Sequence, residues 1–168
     1  YETPCGDLKI DSPYLFALAK KFNIGFEPKA HEREHSTEVQ MPFIKHYFPQ
    51  TEVIEFIYSD ISPKTLATLI TALLENKDNA LVISSDLSHF HTLEEAKALD
   101  THCLKAVASL DLSEISKGCE ACGLIGIQAI MLAAKQHKLK TKLLDYRTSA
   151  DASGDKSSVV GYMSAMFF

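Results

Sequence analysis

The sequence predicts a layered α/β/α fold around a central mixed sheet, and three observations carry that expectation. Short runs rich in β-branched and aromatic residues alternate with helical patterns of about a dozen residues. The run Ala80-Leu81-Val82-Ile83 is continuously apolar, as in a strand covered on both faces. Polar loops at residues 85–91 and 148–155 lie beyond the ends of expected strands, which is where open α/β sheets carry their chemistry.

The elements follow in chain order. Ser12-Pro13 reads as a helix start, and Leu15, Phe16, Leu18, Ala19 and Phe22 supply an apolar stripe ending near Asn23 and Gly25. A polar stretch with His31, Arg33 and His35 leads into a helical pattern through Val39, Met41, Phe43, Ile44 and Tyr47, which Pro42 should kink or delay. Residues 52–58 read as a strand, and Ser62-Pro63 opens a helix carrying Leu66, Leu69, Ile70, Leu73 and Leu74 on one face. After the strand at 80–83, Thr92 and Glu95 form a capping-box pair before a long helix through Ala96, Leu99, Leu104, Val107 and Leu110. A short helix follows Asp111, an all-round apolar helix covers 124–134, and two strands are expected at 142–147 and 158–168.

Composition limits the functions to consider. The 168 residues are 46% hydrophobic and 23% charged, which fits one folded domain over residues 1–168 and excludes a disordered or fibrous chain. Seventeen Lys and Arg stand against twenty-two Asp and Glu without a long block of either sign, so no nucleic-acid partner is expected. The apolar window at 124–134 is shorter than the roughly 20 residues that span a bilayer, so no membrane segment is expected. The four Cys do not suggest a disulfide scaffold, and the expected compartment is the cytoplasm. The chain opens at Tyr1 without Met, and an upstream segment is expected.

Three groups of residues could carry chemistry. Asp86 lies three residues before His89 on a strand-end loop, where a carboxylate can orient an imidazole for acid/base work; the plainer reading makes Asp86 a turn cap and His89 a surface residue. His91 shares the loop, and the G-x-S-x-G elbow of a serine hydrolase is absent. Cys119 and Cys122 form a C-x-x-C just before a helix, open to metal or redox work, or else Cys119 is incidental and Cys122 a small buried residue. His31 and His35 with Glu32, Glu34 and Glu38 are metal-type residues without the zincin spacing, and a solvated charged loop is the plainer reading.

Taken together, Glu34-His35-Ser36-Thr37-Glu38-Val39-Gln40-Met41-Pro42-Phe43, Ser84-Ser85-Asp86-Leu87-Ser88-His89, Ala121-Cys122-Gly123 and residues 148–155 with Val159-Val160-Gly161-Tyr162 resemble the Memo family in order and spacing. The resemblance covers residues 1–168 and implies a fold similar to the LigB-like class III extradiol dioxygenases, of which this chain would be the C-terminal part. It implies iron or copper held by Cys122 and by two His upstream of the chain, with His89 as acid/base and Asp86 beside it. It places His35, Glu38, Ser85, Asp151 and Asp155 as substrate-binding residues for a small molecule. The expected function is a metal-binding redox or dioxygenase-like protein. The alternatives are ring cleavage proper and a phosphopeptide-binding module, for which Arg147 is the nearest cation in sequence. Expected partners are an N-terminal fragment or a second copy, with a functional link to a radical-SAM protein.

Overall fold

A computed structural model describes every residue except Arg33, which the sequence places in the His31–His35 stretch and which lies outside the described residues. The chain is mixed α/β and folds as two compact units, Tyr1–Asp60 and Ile61–Phe168.

In the first unit, β1 (Lys9–Ile10) leads into α1 (Ser12–Phe22). The helix is capped one residue earlier than the sequence suggests, because the Asp11 carboxylate accepts the Tyr14 N–H at 3.0 Å and Ser12 is already helical. At its other end Asn23 takes the left-handed conformation at φ 53°, which stops the helix where expected. Only Leu18 of the apolar stripe is buried. After the short α2 (Pro28–His31), α3 (Met41–Tyr47) begins with Pro42 in its first turn, so the proline delays the helix and does not kink it. The strand expected at 52–58 is reduced to β2 (Glu52–Val53), which pairs parallel with β1. Residues beyond Val53 have strand-like composition but no ladder among the described residues, and a strand exists only through its neighbour.

In the second unit, Ser62 caps α4 (Pro63–Leu74) by accepting the Thr65 N–H at 3.1 Å. The apolar run at 80–83 forms no strand among the described residues, and Val82 is 58% exposed, which departs from the doubly covered strand expected there. The chain then enters β3 (His89–His91), a segment the sequence reads as loop. The capping box of α5 (Leu93–Ser109) is complete, since Thr92 Oγ1 accepts the Glu95 N–H while Glu95 accepts the Thr92 N–H. Next come α6 (Leu112–Ile115), α7 (Leu124–His137), β4 (Thr141–Thr148), α8 (Ala150–Ser153) and β5 (Val159–Phe167). The strands form an antiparallel sheet in the order β3-β5-β4. Helix α7 is buried on most sides, as its composition predicts, and packs along the apolar face of α4. Leu87, Val107, Ile115, Ile127 and Met131 form the core with Leu143, Met163, Ala165 and Phe167 of the sheet.

A correction concerns the cysteines. Cys119 is not half of a C-x-x-C pair with Cys122, because it is disulfide-bonded to Cys103 of α5, with 4.7 Å between the Cα atoms. The sixteen-residue separation gives no sequence signal for that pairing, since a helix and a loop intervene. Cys122 is a free, exposed thiol, and the reading of it as a small buried residue falls as well.

Candidate functional site

The site is built on the dipeptide Ser85-Asp86, which leads from the apolar run toward β3. The Cys122 N–H donates to the Asp86 carbonyl at 3.2 Å, and the Asp86 N–H returns a bond to Cys122 Sγ at 3.3 Å. Ser85 Oγ lies 3.6 Å from the sulfur and accepts the Gly123 N–H at 2.9 Å. These bonds hold the turn before α7 against the 85–86 loop and fix the sulfur at the surface, with a backbone donor pointed at one of its lone pairs.

The Asp86 carboxylate also faces β3, where its Oδ2 lies 3.4 Å from His89 Nε2. One residue therefore positions the thiol through its backbone and the imidazole through its side chain. The expected Asp86–His89 pair is present, and Ser85 and Cys122 are gathered with it.

Two neighbours named in the sequence without a role join the site. His91 Nε2 lies 2.9 Å from Glu120 Oε2, two residues before Cys122. Between the histidines Phe90 has φ 64°, a left-handed conformation unfavourable for an aromatic residue, and the ladder with β5 shifts register there. Its ring is 82% exposed. The second neighbour is Tyr162 of β5, whose phenol is pushed above its ordinary value by burial and then by the Asp86 charge, so it stays protonated and able to donate. Its place in the quoted Val-Val-Gly-Tyr motif was the available signal.

The other expected residues lie elsewhere. Asp151 accepts the Thr148 N–H at 2.7 Å, and Asp155 accepts the Ser157 N–H at 2.8 Å, so both anchor turns in their own loop. His35 and Glu38 belong to the first unit and are exposed. Nearby in that unit Glu55 accepts from the Thr37 hydroxyl and lies 3.5 Å from His31 Nδ1. A cleft of about 260 Å³ is lined there by Tyr1, Thr3, Glu38, Val39 and Pro42 among others. Arg147 is engaged by Asp145 on the same strand, at 3.0 Å.

Cys122 offers one soft donor and His89 is engaged with Asp86, while no group of three or more His, Cys, Asp or Glu among the described residues could hold an ion. The described residues do not by themselves fit a complete metal centre. Among them, no helix is long and apolar enough to cross a membrane.

The sequence matches the family model described as Memo-like protein over residues 1–166. A MEMO1 family protein of Sulfurisphaera tokodaii is 32% identical over 180 residues, which cover 99% of this chain and 63% of that protein. MEMO1 family proteins of Saccharolobus islandicus and Saccharolobus solfataricus are 33% and 32% identical with the same coverage. The chain thus matches less than two thirds of the length of these curated relatives. By the family model and by these relatives, the chain belongs to the Memo family.

Proposed function

We propose that this chain carries the thiolate and acid/base part of a metal-dependent redox centre acting on a small molecule. Cys122 is the soft ligand for iron or copper, and further ligands come from outside this chain, from an N-terminal fragment or a second copy. His89, oriented by Asp86 through Nε2, takes up and returns a proton at Nδ1, and Tyr162 stands by as a neutral donor. The observation that supports this reading best is the double use of Asp86, whose N–H bonds the Cys122 sulfur at 3.3 Å while its carboxylate lies 3.4 Å from His89. A soft thiolate ligand favours copper(I) or iron in redox work over simple Lewis-acid chemistry. The metal would supply electron transfer or oxygen activation when bound; the chain's own part is to fix the sulfur, hold the imidazole and handle the proton.

Competition for copper(I) or iron(II) against a chromogenic chelator tests the proposal. Cys122→Ser should weaken retention of the metal at least tenfold, and His89→Gln should weaken it less than Cys122→Ser does. Equal retention by wild type and Cys122→Ser would remove Cys122 from the ligand set. A phosphopeptide module is less well supported, because Arg147 is already paired with Asp145.

A further inference from the structure

We propose that the Cys103–Cys119 disulfide is a redox latch on the loop that presents Cys122: oxidised, it holds the loop against Ser85-Asp86, and reduced by a dithiol it lets the loop go. The inference builds on reading Cys122 as the working thiol, but its test needs no metal.

The argument follows the loop from one residue to the next. Cys103 is fully buried in α5 and Cys119 is 7% exposed, so the bridge joins a long, capped helix to the irregular segment before α7. The Cys119 N–H is bonded to the Ile115 carbonyl at 3.1 Å. One residue on, the Glu120 carbonyl lies 3.5 Å from Cys103 Sγ, and the Glu120 carboxylate reaches His91 on β3. Two residues further, Cys122 makes its exchange of bonds with Asp86. The bridge, the pair with β3 and the clasp on the sulfur thus fall within four consecutive residues, and the bridge is the covalent member of the three.

Reduction changes this chemically and sterically. The dithiol passes two electrons and two protons to the bridge and itself becomes a disulfide, the S–S bond breaks, and Cys103 and Cys119 become thiols. Sulfurs no longer bonded must separate to van der Waals distance, nearly twice the bonded length. Around them Leu87, Val107, Ile115, Ile127 and Met131 are close-packed, and a packed interior has little room to give. Helix α5 is fixed by its capping box and its burial, so the loop is the part that yields. Movement at 119–120 is transmitted to Cys122 within two peptide units.

Hydrogen exchange of the amides at 119–123 provides the test, with disulfide mapping, in the whole chain with and without dithiothreitol. The air-oxidised chain should yield a Cys103–Cys119 linked peptide, and reduction should speed exchange at the Cys122 and Gly123 amides at least tenfold. Cys122→Ser removes the third thiol of this region and should keep that contrast, and the double variant Cys103→Ala/Cys119→Ala should exchange like the reduced chain whether or not reductant is present. Should the double variant not fold, the comparison of oxidised with reduced wild type decides alone. Absence of the linked peptide, or equal exchange in the two states, would overturn the latch. The failures are separable: if Cys122 is not a ligand, metal retention ignores Cys122→Ser while the exchange contrast persists. If there is no latch, the contrast vanishes while metal retention still depends on Cys122.

Discussion

At the scale of single residues, Asp100 links the site to the rest of its unit. It is fully buried, accepts the Ser88 N–H at 3.0 Å and the Tyr146 hydroxyl at 2.6 Å, and so ties the loop leading to His89 to strand β4. Burial, followed by the bond to Asp100, holds the Tyr146 phenol far above its usual pKa, so it remains a donor at every physiological pH. Tyr146→Phe should therefore cost about 2 kcal/mol, the range for a bond to a charged partner, because the carboxylate stays buried with one donor fewer. Urea denaturation of wild type and variant measures it, and a loss under about 0.5 kcal/mol would mean that water replaces the phenol. The sequence disclosed only part of this chemistry. Asp86 and His89 are three residues apart on one loop, and short spacing survives folding. Glu120 and His91, 29 apart, and Tyr146 and Asp100, 46 apart, meet only through the packing of α5 and the sheet.

At the scale of elements, the packing of β5 against α5 explains a glycine. A Cβ on Gly161 would lie 1.9 Å from Asp100 Oδ2, a contact that no rotamer of Gly161→Ala could relieve because the clashing atom is the Cβ itself. The same residue accepts the Leu87 N–H and donates to the Ser88 carbonyl, so displacing it disturbs the strand that carries His89. Gly161→Ala should destabilise by about 3 kcal/mol or more, with overpacking and a disturbed buried carboxylate acting together. A variant melting within a degree or two of wild type would show that Asp100 can swing aside at little cost. The helices were readable in advance because caps are local: Ser62 at α4, Thr92 with Glu95 at α5, and the Pro42 that sets the start of α3. The strands at 142–147 and 158–168 were readable because they are neighbours in sequence and in the sheet. The runs at 52–58 and 80–83 have the same composition, yet all but Glu52–Val53 lack a ladder among the described residues, since composition records a preference and pairing needs a partner.

At the scale of the whole molecule, the charges are arranged so that acid should be the condition the fold tolerates least. Glu34, Asp111 and Asp151 are lowered chiefly by backbone N–H donors, and Glu95 and Asp155 by the hydroxyls of Thr92 and Ser157. Glu114 and Asp145 are lowered chiefly by bonds to Lys117 and Arg147. All seven shifts are downward. A carboxyl with a depressed folded pKa adds stability that is fully present above its unfolded value and is lost as pH falls through the folded one. The unfolded values cluster near 4, so these groups should leave the melting temperature unaffected by pH above about 5.5 and lower it steadily below about 4.5. The tyrosines work in the opposite sense, because Tyr1, Tyr146 and Tyr162 are raised chiefly by burial and their contribution is lost as pH climbs past the ordinary value of 10.0. Exposed ion pairs are screened by salt and hydrogen bonds to backbone donors much less, so only the share due to Glu114 and Asp145 should weaken at 0.5 M NaCl. Melting followed by circular dichroism from pH 3 to pH 11, at low and high salt, checks both arms. A melting temperature constant between pH 5 and 3 would show that these caps survive in the unfolded chain, and an acid arm abolished by salt would shift the weight to Lys117 and Arg147.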